Sequence, residues 1–157
     1  MNRLILFLLV TGIIYGCGSS SFYEQNYDLS KNYWVINDVP EFTFYVEDTS
    51  KRYNLDIVIR HSNQYRFQNL YITRILEDKR GRKIDSTLVN LGIFDEKTGR
   101  PLGSGLGDIF TISQPVLENF AFSKPDTFRL RVRQTMRPDT LREVVSVGLA
   151  IRVPEVD

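Results

Sequence analysis

Residues 145–153 read VSVGLAIRV, with an apolar residue at every odd position and a small or charged residue at every even position. Successive side chains of a β-strand point to opposite faces, so a period of two places one apolar face against a core. This is the most regular alternation in the chain. We therefore predict a strand here, whose apolar face must be covered by other strands.

The same alternation recurs upstream, in residues 42–46, 55–59 and 127–133, and predicts further short strands. Residues 70–76 are predicted to be a strand because they are rich in β-branched and aromatic residues, and residues 83–91 are the strand that returns from the turn after them. A further short strand is predicted at residues 33–36, with Trp34 as a core anchor. Residues 77–82 read EDKRGR and predict a hairpin turn, in which Gly81 can adopt a positive φ.

Residues 109–122 are harder to assign, because Pro115 interrupts an otherwise β-like stretch. Two short strands, or a strand and a helical turn, both fit this pattern, while residues 102–108 and 136–143 are predicted to be loops. About eight strands, with no convincing helical pattern after residue 17, predict an all-β fold, an antiparallel β-sandwich with a jelly-roll as the favoured variant. A closed barrel is the alternative.

The chain begins MNRLILFLLVTGIIYGC, a positive start followed by an apolar run. The run is about twelve residues long, too short for the ~20 residues that span a bilayer. Its last residues, IYGC, are typical of a lipobox, where cleavage leaves Cys17 as an acylated amino terminus. A buried helix, or ordinary cleavage with a free Cys17, are the alternatives.

The predicted organisation therefore has three parts. Residues 1–16 are a lipoprotein signal peptide, residues 17–32 an acylated cysteine and flexible tether, and residues 33–157 the β-sandwich domain. Two or three acyl chains hold a protein on a membrane far more firmly than one. Gly18, rather than Asp, after the cysteine is compatible with onward sorting to an outer membrane.

Composition excludes several classes of function. Cys17 is the only cysteine, so the folded domain has no disulfide and no thiol chemistry once that residue is acylated. Cleavage removes Arg3 and leaves 19 basic residues against 19 acidic ones. A neutral domain is not expected to bind nucleic acid.

Residues 102–108 read LGSGLGD and contain Gly103, Gly105 and Gly107, followed by Asp108. A phosphate-binding loop would need a helix after it and a Gly-Lys-Ser/Thr sequence, whereas a β-like segment follows here. We interpret the glycines as a tight loop that needs positive φ or close backbone approach. A partner-binding loop that includes Asp108 is the alternative.

Arg129, Arg131 and Arg133 are predicted to lie on one face of a strand, and Arg137 follows them. A row of guanidinium groups can bind carboxylates or phosphates of a partner, and Arg152 would extend the row if its strand is adjacent. More often such a row faces water and pairs across the sheet with Asp and Glu. We keep Arg129, Arg131, Arg133 and Arg137 as candidate partner-binding residues.

No constellation of catalytic residues is evident in the sequence. His61 is the only histidine and is expected at the surface, and Ser62 should point to the opposite face of its strand. One histidine and an acylated cysteine cannot supply a zinc site. The acidic pairs at residues 47–48, 77–78 and 95–96 lack the spacing of a calcium loop. We therefore expect no enzymatic activity, no metal and no cofactor.

Several local strings occur in a recognisable order along the chain. They are PEFTF at 40–44, Arg60, Tyr65, NLY at 69–71, LGSGLGDI at 102–109, QTMR at 134–137, Leu141 and VGL at 147–149. Together with the lipidated cysteine, they resemble the GldH family of gliding-motility lipoproteins over about residues 34–152. The string around the three glycines is the most specific of them.

The resemblance implies a role and not a reaction. Such proteins are accessory lipoproteins that support the assembly or stability of the gliding machinery and of the type IX secretion system to which gliding is coupled. The resemblance also implies a lipid anchor in the outer membrane, a domain that faces the periplasm, and protein partners in that complex.

A glycan-binding module of the envelope is the main alternative function, because jelly-rolls often bind sugars. Its candidate contacts are the aromatic residues Tyr45, Tyr65, Phe67 and Tyr71. A hydrolase that uses His61 is the third hypothesis, and it would need a serine and a buried acid beside that histidine.

Overall fold

A computed structural model describes residues 22–154 of the chain; the signal peptide, Cys17 and the last three residues lie outside this range. Within it the chain forms eleven strands and one short 3-10 turn, Ser30–Asn32. The strands are β1 Tyr23–Asp28, β2 Tyr33–Val35, β3 Glu41–Val46, β4 Tyr53–Ser62, β5 Asn69–Asp78, β6 Lys83–Gly92, β7 Ser104–Leu106, β8 Ile109–Phe120, β9 Asp126–Gln134, β10 Thr140–Arg142 and β11 Val144–Arg152. No helix of the described chain is long and apolar enough to cross a membrane.

The strands form two antiparallel sheets, which we call sheet I and sheet II. Sheet I has the order β1-β11-β4-β8-β7 and sheet II the order β3-β9-β5-β6, while β10 and β2 form a separate pair. Without the three-residue strands, the eight long strands numbered along the chain have the orders 1-8-3-6 and 2-7-4-5. This is the connectivity of a jelly-roll, so the predicted sandwich and its favoured variant are confirmed, and the barrel is wrong.

The core lies between the two sheets, where the alternating residues predicted to be apolar are buried. In β3 the burial alternates strictly, with Phe42, Phe44 and Val46 inside and the residues between them exposed. Trp34 is fully buried, and its indole Nε1 donates a hydrogen bond to the Asp38 carbonyl oxygen at 2.8 Å. Trp34 is therefore the core anchor that the sequence predicted.

The outer face of β11 is also covered, although its even positions read as a solvent face. Ser146 and Ala150 are buried, although their side chains point away from the core. At Gly148 an added Cβ would lie 2.2 Å from the Asn26 side-chain oxygen. Small residues at these positions thus allow neighbouring side chains to close over the central strand.

The predicted tether is wrong from Tyr23 onward, because this part of it is strand β1. The strand pairs with β11, the amide of Phe22 donates to the Ile151 oxygen at 2.8 Å, and the Tyr23 ring lies 5.8 Å from that of Phe44. An edge strand with mostly exposed side chains shows no apolar period, which explains why the sequence reads as a linker. Residues 17–21 lie outside the described part.

Three further assignments differ from the sequence prediction. Residues 109–120 form one strand, β8, because Pro115 sits at a register irregularity opposite Asp56 that a proline can occupy. The glycine-rich segment contains the short strand β7, and the predicted loop at 136–143 contains β10. Both are three-residue strands, too short to show a period.

The sandwich has two ends with different loops. We call the end where β1 begins the near end; it carries the loops at residues 47–52, 79–82 and 121–125. The opposite, far end carries the loops at residues 63–68, 93–103 and 135–139. The chain enters the domain at the near end, so everything at the far end lies one strand length away.

The assignment of β1 to the domain predicts the effect of truncation. A chain that starts at residue 22 should unfold at the same urea concentration as the full mature chain. A chain that starts at residue 29 loses the Tyr23 contact with Phe44 and uncovers the edge of β11. We expect it to lose about 2 kcal/mol or more of unfolding free energy, as partial removal of a buried aromatic does. Equal midpoints for the two chains would show that β1 is a linker.

Candidate functional site

An apolar groove of about 510 Å³ lies at the far end, on the outer face of sheet II. It is lined by Phe67, Tyr71, Leu88, Thr135, Met136, Arg137 and Pro138. Leu88 is 61% exposed and Tyr71 is 39% exposed, so their side chains are accessible from solvent. Three separate segments of the chain contribute to this surface, which is why no single motif announces it.

The wall of the groove is held in place by backbone contacts after β9. The Thr135 amide donates to the Tyr71 oxygen at 2.9 Å, which keeps the chain beside β5. Gln134 is fully buried; its Oε1 accepts from the Met136 amide at 2.9 Å and its Nε2 donates to the Pro138 oxygen at 3.2 Å. A single buried amide therefore shapes the segment that carries Met136 and Pro138.

Two of the candidate arginines, Arg129 and Arg131, form ion pairs with glutamates on neighbouring strands of sheet II. Arg129 Nη1 lies 3.4 Å from Glu41 and Arg129 Nε 3.2 Å from Glu77, while Arg131 Nε lies 2.9 Å from Glu41 and Arg131 Nη1 3.3 Å from Glu77. The two Nε atoms face the carboxylates without forming directed hydrogen bonds. This square of alternating charges is the cross-sheet pairing given above as the usual interpretation of such a row.

Arg133 and Arg137 differ from this pair. Both are exposed, and neither has an ion-pair partner among residues 22–154. Arg133 pairs in register with Thr73, which pairs in turn with Leu88, and Arg137 lines the groove itself. Two unneutralised positive charges thus flank an apolar surface. Arg152 belongs to sheet I, where it pairs with Asp56, and takes no part in the row.

The three glycines of the LGSGLGD segment lie at positions where the backbone conformation or a close neighbour excludes a side chain. They belong to the other sheet from the arginines. Gly103 has φ +83, and an added Cβ would lie 2.1 Å from the Thr111 oxygen. At Gly105 the same Cβ would lie 2.4 Å from the Ile109 oxygen, and Gly107 has φ +64 in the turn between β7 and β8. The positive φ and close backbone approach predicted for these glycines are therefore confirmed, although the segment forms a hairpin with strand β7 and not a loop alone.

Asp108 fixes this hairpin to the rest of the far end. Its side-chain oxygen accepts from Asn63 Nδ2 at 2.8 Å, and its carbonyl oxygen accepts from the Asn63 amide at 2.8 Å. Leu106 at the tip is 93% exposed. The structure places the glycines and Asp108 in or beside the β7–β8 hairpin of sheet I, whereas the arginines lie on β9 of sheet II or just after it, so the candidate residues do not form one site.

His61 is buried, so the prediction of a surface histidine is wrong. Its ring packs against those of Tyr65, Phe94 and Phe110, at centroid distances of 5.5 to 6.2 Å. Nδ1 donates to the Ser62 carbonyl oxygen at 3.0 Å, and Nε2 has no hydrogen-bond partner in the described structure. The Ser62 hydroxyl instead donates to Glu143 at 2.7 Å, so His61 and Ser62 do not form a nucleophile-base pair.

The aromatic residues proposed for sugar binding also separate. Tyr65 is 5% exposed, and burial raises the pKa of its hydroxyl, so it cannot present its ring to a ligand. Tyr45 is exposed but lies at the near end, opposite Thr127. Phe67 and Tyr71 are the two that line the same surface, the groove.

The acidic pairs stabilise turns. Asp48 accepts from the Ser50 amide and hydroxyl, and Asp78 accepts from the amides of Arg80 and Arg82. Asp95 binds the Thr98 amide and hydroxyl, which lowers the pKa of its carboxyl. In the described chain, no three His, Cys, Asp or Glu side chains gather as a metal site would require.

Comparison with known proteins gives a family and two relatives. A family model described as GldH lipoprotein matches residues 21–151. The chain is 25% identical to the "Gliding motility lipoprotein GldH homolog" of Christiangramia forsetii over 134 residues, covering 84% of this chain and 79% of that protein. It is 24% identical to the "Gliding motility lipoprotein GldH" of Flavobacterium johnsoniae over 154 residues, covering 93% of each.

Comparison with solved structures gives more distant similarities. The subviral particle of infectious bursal disease virus protein VP2 matches with a TM-score of 0.38 and 12% identity, over 85% of this chain and 33% of that chain. A structure of the Gx strain of infectious bursal disease virus matches with a TM-score of 0.39 and 12% identity. The chain spans about a third of the length of these proteins.

The glycine geometry predicts unequal costs for two alanine substitutions. Gly99 also has a positive φ, +66, but has no atom within 4 Å of an added Cβ. Gly99→Ala should cost about 1 kcal/mol of unfolding free energy, the strain of a left-handed alanine. Gly103→Ala adds a clash with the Thr111 backbone oxygen, so we expect a loss of about 3 kcal/mol or more in urea unfolding. Equal losses would show that the close approach is absent.

The burial of His61 predicts a dependence of stability on pH. Burial holds the pKa of His61 below its ordinary value of 6.5, so the unfolded chain takes up a proton that the folded chain resists. Unfolding free energy should fall as the pH drops below about 6.5, and the loss should level off once the pH is below the lowered pKa of the folded state. His61→Phe should remove this part of the pH dependence. A variant whose profile is superimposable on that of the unmodified protein would contradict the buried neutral imidazole.

Proposed function

This chain belongs to the GldH lipoprotein family, and we propose that it is a noncatalytic accessory lipoprotein that supports assembly or stability of the gliding-motility and type IX secretion machinery. The observation that carries the proposal is the family match, which spans residues 21–151 and so almost the whole sandwich. Both relatives are named as gliding-motility lipoproteins, and the chain matches each of them over most of its length. Membership of a lipoprotein family also implies a membrane anchor.

The side-chain arrangement supports a binding role over a catalytic one. The one histidine is enclosed by aromatic rings, and the serine beside it is engaged with Glu143. On the outer face of sheet II, the groove and the two arginines beside it, Arg133 and Arg137, are not used by contacts within the described chain. An accessory protein needs such a surface to hold another component.

The length of the chain before β1 sets the proposed orientation. Cys17 and Phe22 are five residues apart, so an acylated Cys17 can be no more than ~18 Å from the start of the domain. The near end then faces the lipid, and the far end projects away from it. The groove lies about eight residues along the strands from the near end, roughly 26 Å further out at ~3.3 Å per residue. We place this arrangement on the periplasmic face of the outer membrane.

A glycan-binding module is the second candidate function. The observation that favours it is that Phe67 and Tyr71 both line the groove, where an aromatic ring can stack on a sugar ring. Binding of purified peptidoglycan or polysaccharide that is lost in a Tyr71→Ala variant would support it. Tyr45→Ala is the matched control, because Tyr45 is an exposed tyrosine on the same sheet outside the groove.

The accessory role is tested by deletion and complementation in the source organism. We expect deletion to lower the envelope amounts of the other machinery proteins, measured by quantitative mass spectrometry, and the intact gene to restore them. A Cys17→Ala gene should give an uncut precursor with no acyl label and should not restore them. Unchanged amounts in the deletion strain would argue against a role in assembly or stability. A processed, membrane-bound Cys17→Ala protein would contradict the lipid anchor.

A further inference from the structure

Strand β6 is one of the two edges of sheet II, the other being β3, and half of its backbone groups point away from the sheet. Ile93, which follows β6, donates its amide to the Gln68 oxygen at 2.9 Å, so it belongs to the class of residues that bond towards β5. The amide of Gly92 instead binds the Gln114 side chain, so Gly92 belongs to the residues whose backbone groups point away from β5. Along an antiparallel strand, residues of these two kinds alternate. Ser86, Leu88 and Asn90 therefore direct their amides and carbonyls to the free edge, as Gly92 does.

Gln114 shows what this edge requires. Its side-chain amide accepts from the Gly92 amide at 3.2 Å and donates to the Gly92 oxygen at 2.7 Å, as a neighbouring strand would. Gln114 caps only Gly92. In the described range, no strand or side chain binds the outward backbone groups of Ser86, Leu88 and Asn90. All three residues are exposed.

The other edges are shorter or more polar. β7 is three residues long, and β1 carries polar side chains along its length. β3, at the opposite edge of sheet II, has six residues and directly follows Pro40. β6 has ten residues and no proline, and it exposes Ile84 by 45% and Leu88 by 61%. A long edge that exposes apolar side chains is one that proteins usually protect, unless another strand pairs with it.

We propose that β6 receives an extended, acidic and apolar segment of a partner protein, which pairs as an added antiparallel strand and places apolar side chains beside Leu88 in the groove. This proposal rests on the accessory role above and names its docking surface. The free backbone groups specify a polypeptide strand as the occupant. The groove specifies apolar side chains on the outer face of that strand.

Charge specifies the acidic residues of the partner. On this face Glu41 and Glu77 are neutralised by Arg129 and Arg131. Arg133, two residues further along β9, has no such partner, and Arg137 lines the groove unpaired within residues 22–154. Asp139 is the acidic residue nearest in sequence and does not line the groove. The surface therefore presents two unpaired guanidinium groups, which favour carboxylates on the occupant.

The test selects a library of random dodecapeptides against the acylated full-length mature protein in detergent micelles. We expect selected peptides to alternate apolar residues and to be rich in Asp and Glu. Their binding should weaken about tenfold or more in Ser86→Pro, which removes one outward amide and no bond to β5. Ser86→Ala, which keeps that amide, is the matched control and should bind within about twofold of the unmodified protein.

Charge is tested by a double reversal at Arg133 and Arg137 to Glu, which should weaken the same peptides about tenfold or more. Reversal at Arg60 and Arg80, which are exposed elsewhere, is the control and should have little effect. If Ser86→Pro proves less stable than the unmodified protein, the proposal is tested instead by amide hydrogen exchange of the unmodified protein with and without bound peptide. Bound peptide should then protect the amides of Ser86, Leu88 and Asn90.

Several results would overturn the proposal: no selected peptide, selected peptides that bind Ser86→Pro unchanged, or protection confined to other strands. Dimers of the protein that protect the same three amides would assign the edge to a second copy. Binding of lipid or glycan alone in the groove would assign it to those ligands. If the peptide tests fail but the deletion strain still has lowered amounts of the machinery proteins, the accessory role stands and only the docking site is wrong. The two proposals can therefore fail separately.

Discussion

The inner faces of β4 and β11 must be covered by those of β5 and β9, and the other features of the domain depend on this burial. Leu55, Ile57 and Ile59 are fully buried on β4, and Leu130 and Val132 on β9. Each buried aliphatic side chain stabilises the fold by about 1.5 to 3 kcal/mol. Because the chain alternates between the two sheets, the loops collect at two ends, and the far end can carry a surface that the core does not need.

Closing the core leaves the edges of the sheets as the remaining problem. Gln114 caps the end of β6, and Arg74 bridges the same side of the sandwich, where its buried guanidinium donates to the Val116 oxygen at 2.6 Å and pairs with Asp85. These contacts satisfy the backbone near the irregularity in β8, but they do not reach Ser86 or Leu88. The open part of β6 is thus adjacent to a well-satisfied region, which is consistent with a surface kept for pairing.

The sequence predicted the strands whose two faces differ most. Phe42, Phe44 and Val46 alternate with exposed residues, and the buried face follows directly from that pattern. β1 was missed because both of its faces are mostly exposed to solvent, so its sequence shows no apolar period. His61 was expected at the surface because its enclosure depends on Phe94 and Phe110, which approach it only through the fold.

The site could be predicted only in part, for a similar reason. The three glycines were interpreted correctly, since positive φ and close approach are local requirements. The division of the arginines was not predictable, because it depends on which strand brings Glu41 and Glu77 beside Arg129 and Arg131. The groove joins β5, β6 and the segment after β9, and its residues share no sequence pattern.

The most direct test of this account is residue-resolved amide hydrogen exchange of the isolated mature domain by NMR. The structure predicts an alternation along β6, with fast exchange at Ser86, Leu88 and Asn90 and slow exchange at Thr87 and Val89, which bond to β5. Amides of β4 and β11 should be slow throughout, because both strands are paired on both sides. Uniform protection along β6 in a monomer would contradict the account, since its free edge would then be covered.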